Sequence, residues 1–142
     1  MRFAIVVSRF NETVTQGLLR GALRFLAEKG ISHAQEDTFY APGAFEIPLI
    51  AKKLARTRSY DGVICLGSVI KGETAHFEFI SLGATIGIQL SMLETEVPIS
   101  FGILTAYTED QAEARSRDNA ENKGLEAAKA CLESASLLKQ IF

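Results

Sequence analysis

Residues 63–80 read "VICLGSVIKGETAHFEFI", and this stretch decides the fold. Val63-Ile64-Cys65-Leu66 is apolar at every position, so a strand there leaves no face for water. Such strands lie at the centre of parallel sheets covered by helices on both sides. Two glycines follow, and the pattern then changes to that of a long helix, expected from Ala75 to Glu94, whose first turn carries His76.

Outward from this stretch, three more runs rich in strand-forming residues alternate with amphipathic segments: Phe3 to Val7, Thr38 to Tyr40 and Ile99 to Leu104. Thr13-Val14-Thr15-Gln16 has capping-box spacing. It predicts the start of a helix with the stripe Leu18, Leu19, Ala22, Leu23, Leu26 and a stop at Gly30. Pro42-Gly43 ends the second strand, and Pro48 fits only the first turn of the helix through Leu49, Ile50 and Leu54. Thr108-Glu109-Asp110-Gln111 repeats the capping-box spacing. A last helix opens near Lys123-Gly124 with Leu125, Ala128, Cys131, Leu132, Ala135 and Leu138 on one side.

Strands alternating with helix-length crossovers predict right-handed connections. The expected fold is α/β: a three-layer α/β/α sandwich, flavodoxin-like, with a four-stranded parallel sheet, in one domain spanning 1–142. Ligands of such sheets bind beyond the carboxyl ends of the strands, where strand order reverses. That singles out Ser8 to Asn11, Ala41 to Glu46, Ser68 to His76 and Thr105 to Thr108.

With 142 residues the chain can bury about two-thirds of its unfolded surface without disulfide staples. A formal charge of −2 with 23% charged residues gives no basic excess, so nucleic acid is not the expected partner. Cys65 and Cys131 lack metal-ligand spacing and read as small hydrophobes in a reducing, cytoplasmic protein. No apolar run approaches the roughly 20 residues that span a bilayer, and the run Phe3 to Val7 is too short for a signal-peptide core; no membrane is expected.

Lys71-Gly72-Glu73-Thr74 sits where a strand gives way to a helix, so free N–H groups and the positive dipole end suit an anion such as phosphate. The lysine precedes the glycine, which excludes a nucleotide-triphosphate P-loop. Glycine and threonine also serve such turns for geometry alone. At a helix start a neutral imidazole is favoured, which suits His76 to proton transfer; a capping or surface histidine is the alternative. His33, in a polar connection, reads as a solvated loop residue. Phe10 either stacks on a planar heterocycle or plugs the end of its strand. Glu46 is either a site acid or a first-turn helix stabiliser, and Arg115, Arg117 and Lys123 are either site cations or a solvated face.

The segments "SRFN" at 8–11, "PGAFEIP" at 42–48, the stretch 67–80, "PISFGILT" at 98–105, "EDQAEAR" at 109–115 and "NKGLEAA" at 122–128 resemble, in order, those of the lumazine synthase family. The resemblance implies condensation of two small-molecule substrates, 5-amino-6-(D-ribitylamino)uracil and 3,4-dihydroxy-2-butanone 4-phosphate, with release of phosphate and water. It implies no metal and no redox cofactor. By the same resemblance Phe10 stacks on the pyrimidine, while Ala44, Phe45 and Glu46 hold the ribityl chain. Ser68, Val69 and Ile70 offer main-chain groups to the ring edge, and Gly72, Glu73 and Thr74 bind phosphate with Arg115. His76 transfers protons, and Phe101 and Lys123 complete the pocket. The family places Phe101, Arg115 and Lys123 on a neighbouring subunit, so a homopentamer with interface active sites is expected, and association with riboflavin synthase is a further expectation.

Two departures qualify the resemblance. The family carries a segment ahead of the first strand that adds to a neighbour's sheet; with Met1-Arg2-Phe3 almost in the strand, that exchange is not expected here. The bend Ser116-Arg117-Asp118-Asn119-Ala120-Glu121 also differs from the glycine-rich form of shell-forming members. A pentamer is therefore expected ahead of an icosahedral shell. A non-catalytic flavin- or lumazine-binding or shell-forming protein on the same fold is the competing reading, disfavoured because a passive binder needs no His76, Arg115 and Lys123 together. A flavodoxin- or receiver-type signalling domain is disfavoured by "SRFNET", which has neither an acidic pair nor a phosphate loop.

Overall fold

The computed structural model describes residues 1–141. Strands β1 (Phe3–Ser8), β2 (Thr38–Ala41), β3 (Gly62–Ile70) and β4 (Ile99–Ala106) form one parallel sheet in the order β2-β1-β3-β4. Helices α1 (Glu12–Glu28) and α5 (Lys123–Leu138) cover one face; α2 (Ile47–Arg56) and α3 (His76–Thr95) cover the other. The short α4 (Glu109–Ala114) follows β4.

Alternation along β3 divides the two cores. Ile64 and Leu66 join Leu18, Leu26 and Ala128 on the α1/α5 side, whereas Val63, Cys65 and Val69 join Ile47, Ala51 and Ile88 on the other. The expected three-layer α/β/α architecture is what forms. Both cysteines are free and buried, as expected, and burial pushes the Cys131 thiol up to about 12.

Helix ends separate the correct local readings from the incorrect ones. At Gly30, φ is 72°, with Gly30 N bonded to Ala27 O and Ile31 N to Leu26 O at 3.0 and 2.9 Å, a Schellman stop for α1. The expected capping box at Thr13–Gln16 does not form. The chain turns earlier, at Asn11, whose left-handed backbone (φ 57°, ψ 52°) starts α1 at Glu12 and leaves Thr13 inside the first turn. The same spelling at Thr108–Gln111 does form a capping box, because Thr108 is extended and leaves a strand. Helix α5 is capped by Asn122, and its Leu138 is exposed rather than part of the buried stripe.

The amino-terminal rim of the sheet is closed by Asp37, 4% exposed, which accepts from Arg2 Nη2 at 2.7 Å, Arg2 Nε at 3.1 Å and Tyr60 Oη at 2.8 Å. Those bonds, the Arg2 pair foremost, hold its carboxyl below the usual range. His33 belongs to this rim and is not the solvated loop residue expected. Its Nε2 lies 2.8 Å from Thr38 Oγ1, and burial lowers the imidazole below its ordinary value.

Candidate active site

With order β2-β1-β3-β4, the connections leaving β1 and β3 run to opposite sides, so the carboxyl ends of β1 and β3 diverge. A cleft of about 470 Å³ opens there, lined by Phe10, Asn11, Gly43, Ala44, Phe45, Glu46, Ser68, Val69, Ile70, His76 and Ile80. Phe10 is 72% exposed, so it is not a plug; its ring is a free wall. A one-turn 3-10 helix, Ala44–Glu46, forms the second wall. Gly43 leaves a hollow between the walls: a Cβ there would sit 3.2 Å from Glu46 Oε1 and 3.5 Å from Phe10 Cδ2. Glu46 thus serves both readings, standing at the start of α2 while its carboxylate leans into the cleft.

Phe45 is fixed from behind by α3, where Gly83 lets the ring in; a Cβ at Gly83 would lie 3.0 Å from Phe45 Cε1. One helical turn on, Gly87 receives Pro48 in the same way, and Ser91 Oγ reaches Pro48 O at 3.4 Å.

The strand register supplies the floor. Val63 N bonds Pro98 O and Lys71 N bonds Ala106 O, so odd-numbered residues of β3 turn their peptide groups to β4 and even-numbered ones turn theirs to β1. Pairing with β1 ends at Val7↔Leu66. The peptide groups of Ser68 and Ile70 therefore face the gap that opens beyond β1. Sequence reading ended this strand at Leu66, because Gly67 and Ser68 carry no strand signal.

Gly72, Glu73 and Thr74 lie outside the cleft lining, in the exposed turn before α3. Their amides form no hydrogen bond among the described residues, and Thr74 Oγ1 accepts from His76 N at 3.3 Å. The turn thus offers free donors next to His76, which does line the cleft.

Phe101, Arg115 and Lys123 are elsewhere. They line a second cleft of about 540 Å³ beyond β4, with Tyr107, Gln111, Glu121 and Glu126. Lys123 Nζ pairs with Glu126 at 3.2 Å, while Arg115 makes no ion pair among the described residues. Lys123 N donates to Arg115 O at 2.8 Å, tying the two cations together across the bend. Beneath that bend Asn122, 1% exposed, donates from Nδ2 to Gly17 O and Arg117 O and accepts at Oδ1 from Gly124 N and Leu125 N. Arg117 lies in a different groove, against α1.

One chain therefore holds two separate clefts. The first carries the aromatic walls, the acid, the open peptide edge and the histidine; the second carries the unpaired arginine. Sequence reading gave no role to Asn11 or Asn122, although both lie in segments it marked. The available signal was the residue type, since asparagine tolerates left-handed backbone and caps helices. Among the described residues no three His, Cys, Asp or Glu side chains gather as a metal-ligand set, and no helix is long and apolar enough to cross a membrane.

The family model for 6,7-dimethyl-8-ribityllumazine synthase matches residues 1–139. The chain is 63% identical over 140 residues to 6,7-dimethyl-8-ribityllumazine synthase 1 of Caulobacter vibrioides, covering 99% of this chain and 92% of that protein. It is 51% identical over 140 residues to 6,7-dimethyl-8-ribityllumazine synthase of Salinibacter ruber, covering 99% of this chain and 90% of that one. A match of this identity, running through both clefts and nearly the whole length, means that the chain belongs to the 6,7-dimethyl-8-ribityllumazine synthase family.

Proposed function

We propose that the two clefts are the halves of one active site, completed when a second copy of the chain brings its Phe101, Arg115 and Lys123 to the first cleft. The activity itself, that of a lumazine synthase in riboflavin biosynthesis, follows from family membership. The substrates are 5-amino-6-(D-ribitylamino)uracil and 3,4-dihydroxy-2-butanone 4-phosphate. The observation that carries the shared site is the separation of Arg115 from His76 into different clefts, although phosphate release and proton transfer belong to one reaction.

In this reading Phe10 stacks on the pyrimidine, and the peptide edge of Ser68 to Ile70 meets its polar rim. Ala44, Phe45 and Glu46 flank the ribityl chain, with the Glu46 carboxylate accepting from its hydroxyls. The amides of Gly72, Glu73 and Thr74 donate to the phosphate, and the partner's arginine, with no carboxylate of its own to answer, clamps it. The 5-amino nitrogen adds to the ketone carbon and water leaves, giving an imine. The hydroxyl-bearing carbon next to the imine then gives up its proton, its C–H pair forms the new C=C bond as phosphate departs with the C–O bonding pair, and the resulting enol takes a proton at carbon to become a ketone. The ribitylamino nitrogen closes the ring on that ketone with loss of a second water. Each step moves protons, which His76 accepts and returns. Holding the two substrates face to face can supply about 7–11 kcal/mol of the barrier reduction.

A second surface supports assembly. On α3, Ala84, Ile88, Ser91 and Thr95 face the core, while Phe79, Leu82, Ile86, Leu90 and Leu93 form an exposed apolar stripe along the other side. Each such side chain gains about 1.5–3 kcal/mol when fully buried, and a stripe of this length marks an interface. A second copy of this chain is the occupant we assign, in a closed ring of the pentameric kind.

Purified protein mixed with both substrates should yield the lumazine chromophore and inorganic phosphate together, and sedimentation should show no monomer. Folded protein that assembles yet releases neither product would overturn the catalytic reading. A fully active monomer would overturn the shared site.

A further inference from the structure

We propose that Asn11 is the positioning residue for the pyrimidine, setting the distance and angle between the Phe10 ring and the open peptide edge of β3. The inference rests on the reading that Phe10 stacks on that substrate. Phe10 is 72% exposed and so has little packing of its own; the backbone on either side must place it. On one side Arg9 N is pinned to Ala41 O of β2 at 2.9 Å. On the other, the Asn11 carbonyl accepts from Val14 N and Thr15 N, both at 3.0 Å, and Nδ2 donates to Ser68 O at 3.0 Å.

The bond to Ser68 is the informative one. By the register of the β1/β3 ladder, the Ser68 carbonyl points to β1 and would accept the main-chain N–H of residue 10 if β1 ran on. Instead the left-handed Asn11 turns the chain away, lifting Phe10 out of the sheet. Its side-chain amide takes over the missing ladder bond. Ser68 O is thereby satisfied by protein, and Ile70, two residues on and facing the same gap, keeps its peptide groups open. Asn11 thus fixes where the stacking ring stands relative to the part of the edge that stays free for a ligand.

The side chain and the backbone conformation can be tested separately. Asn11→Gly keeps the left-handed geometry and removes only the amide. It should raise KM for the ribitylaminouracil roughly tenfold, leave KM for the phosphorylated butanone unchanged, and leave the thermal midpoint close to that of the parent. Asn11→Asp, nearly the same shape, sets an oxygen against Ser68 O and should raise the same KM at least as far. Because Asn11 acts through Phe10, Phe10→Ala combined with Asn11→Gly should be no worse than Phe10→Ala alone. Parent-like kinetics for Asn11→Gly, or equal loss for both substrates with a lowered midpoint, would overturn the proposal. If Phe10→Ala itself leaves the pyrimidine KM unchanged, it is the stacking reading that fails first, and the proposal with it.

Discussion

Truncating Asn122 should cost more than any surface change, because one buried side chain serves three elements. Asn122→Ala removes the cap of α5: the bond to the part-buried Leu125 N–H is worth about 1 kcal/mol, and the buried Gly124 N–H, left with no acceptor, costs about 1–3 kcal/mol. The carbonyls of Gly17 and Arg117 suffer less, since the first sits within α1 and the second still accepts from Asn119 N at 2.9 Å. A loss of about 3 kcal/mol is expected, out of the roughly 5–15 kcal/mol that holds a domain together. In a chain of this length that lowers the thermal midpoint by about 10 °C. Asn122→Ser restores an oxygen that can cap α5 but not the arm to Gly17 and Arg117, and should recover about 1 kcal/mol of the loss. The assay is thermal unfolding of assembled protein at fixed concentration. A fall under about 3 °C for Asn122→Ala, or no difference between the alanine and serine variants, would refute the account.

Other outcomes follow from the same geometry. Arg115→Ala should raise KM for the phosphorylated substrate by about 10- to 100-fold, with little change for the pyrimidine, whereas His76→Ala should lower kcat by up to about 10²-fold without abolishing it; steady-state kinetics in each substrate separates the two. Gly83→Ala should leave α3 as stable or more so, since alanine is the better helix former. Its Cβ, 3.0 Å from Phe45 Cε1, should still displace the ring and raise KM for the ribityl substrate. Asp37 and His33 both have folded-state values below their ordinary ones, so the unfolded chain binds more protons at both. Stability should be full above about pH 6.5, fall as pH drops through that value and His33 must charge, and fall again below about 3.9 as Asp37 is protonated. Urea midpoints across pH should show both steps, Asp37→Asn should remove the lower one, and a midpoint that rises on acidification would contradict this.

Much of the architecture was legible because burial on two faces leaves a strong mark. Val63-Ile64-Cys65-Leu66 could be little other than a central strand, and α3 begins within a residue of where the helical pattern does. The extension of β3 to Ile70 was not legible, since Gly67 and Ser68 look like a turn and only pairing with Leu104 and its neighbours makes them strand. Thr13–Gln16 and Thr108–Gln111 spell the same motif, and only the threonine's own backbone, already helical at Thr13 and extended at Thr108, decides which one caps a helix. His33 illustrates the same limit: its polar neighbours suggested solvent, but the rim closed by Asp37 and Arg2 half-buries it.

The candidate site divided along similar lines. Residues close to strand ends, Phe10, Glu46 and His76, could be singled out from local pattern, which left their roles open between site and structure, and they do gather in one cleft. No local pattern signals that Arg115 and Lys123 stand in a cleft of their own; only the family resemblance implied it, and the separation is a property of the sheet order. Asn11 was marked only as the end of a segment and given no role, because its bond is to a residue far along the chain, Ser68.

The separation of the two clefts also has a genetic reading. If each site draws one half from each of two chains, lesions in different halves belong to different complementation groups. Protein refolded from a mixture of His76 and Arg115 variants, each impaired by itself, would contain some interfaces where both contributing halves are intact. With random mixing in equal amounts these make up about a quarter of the sites in a cyclic ring. Two alleles of one gene would then rescue each other in the same cell, while two lesions in the same cleft never would.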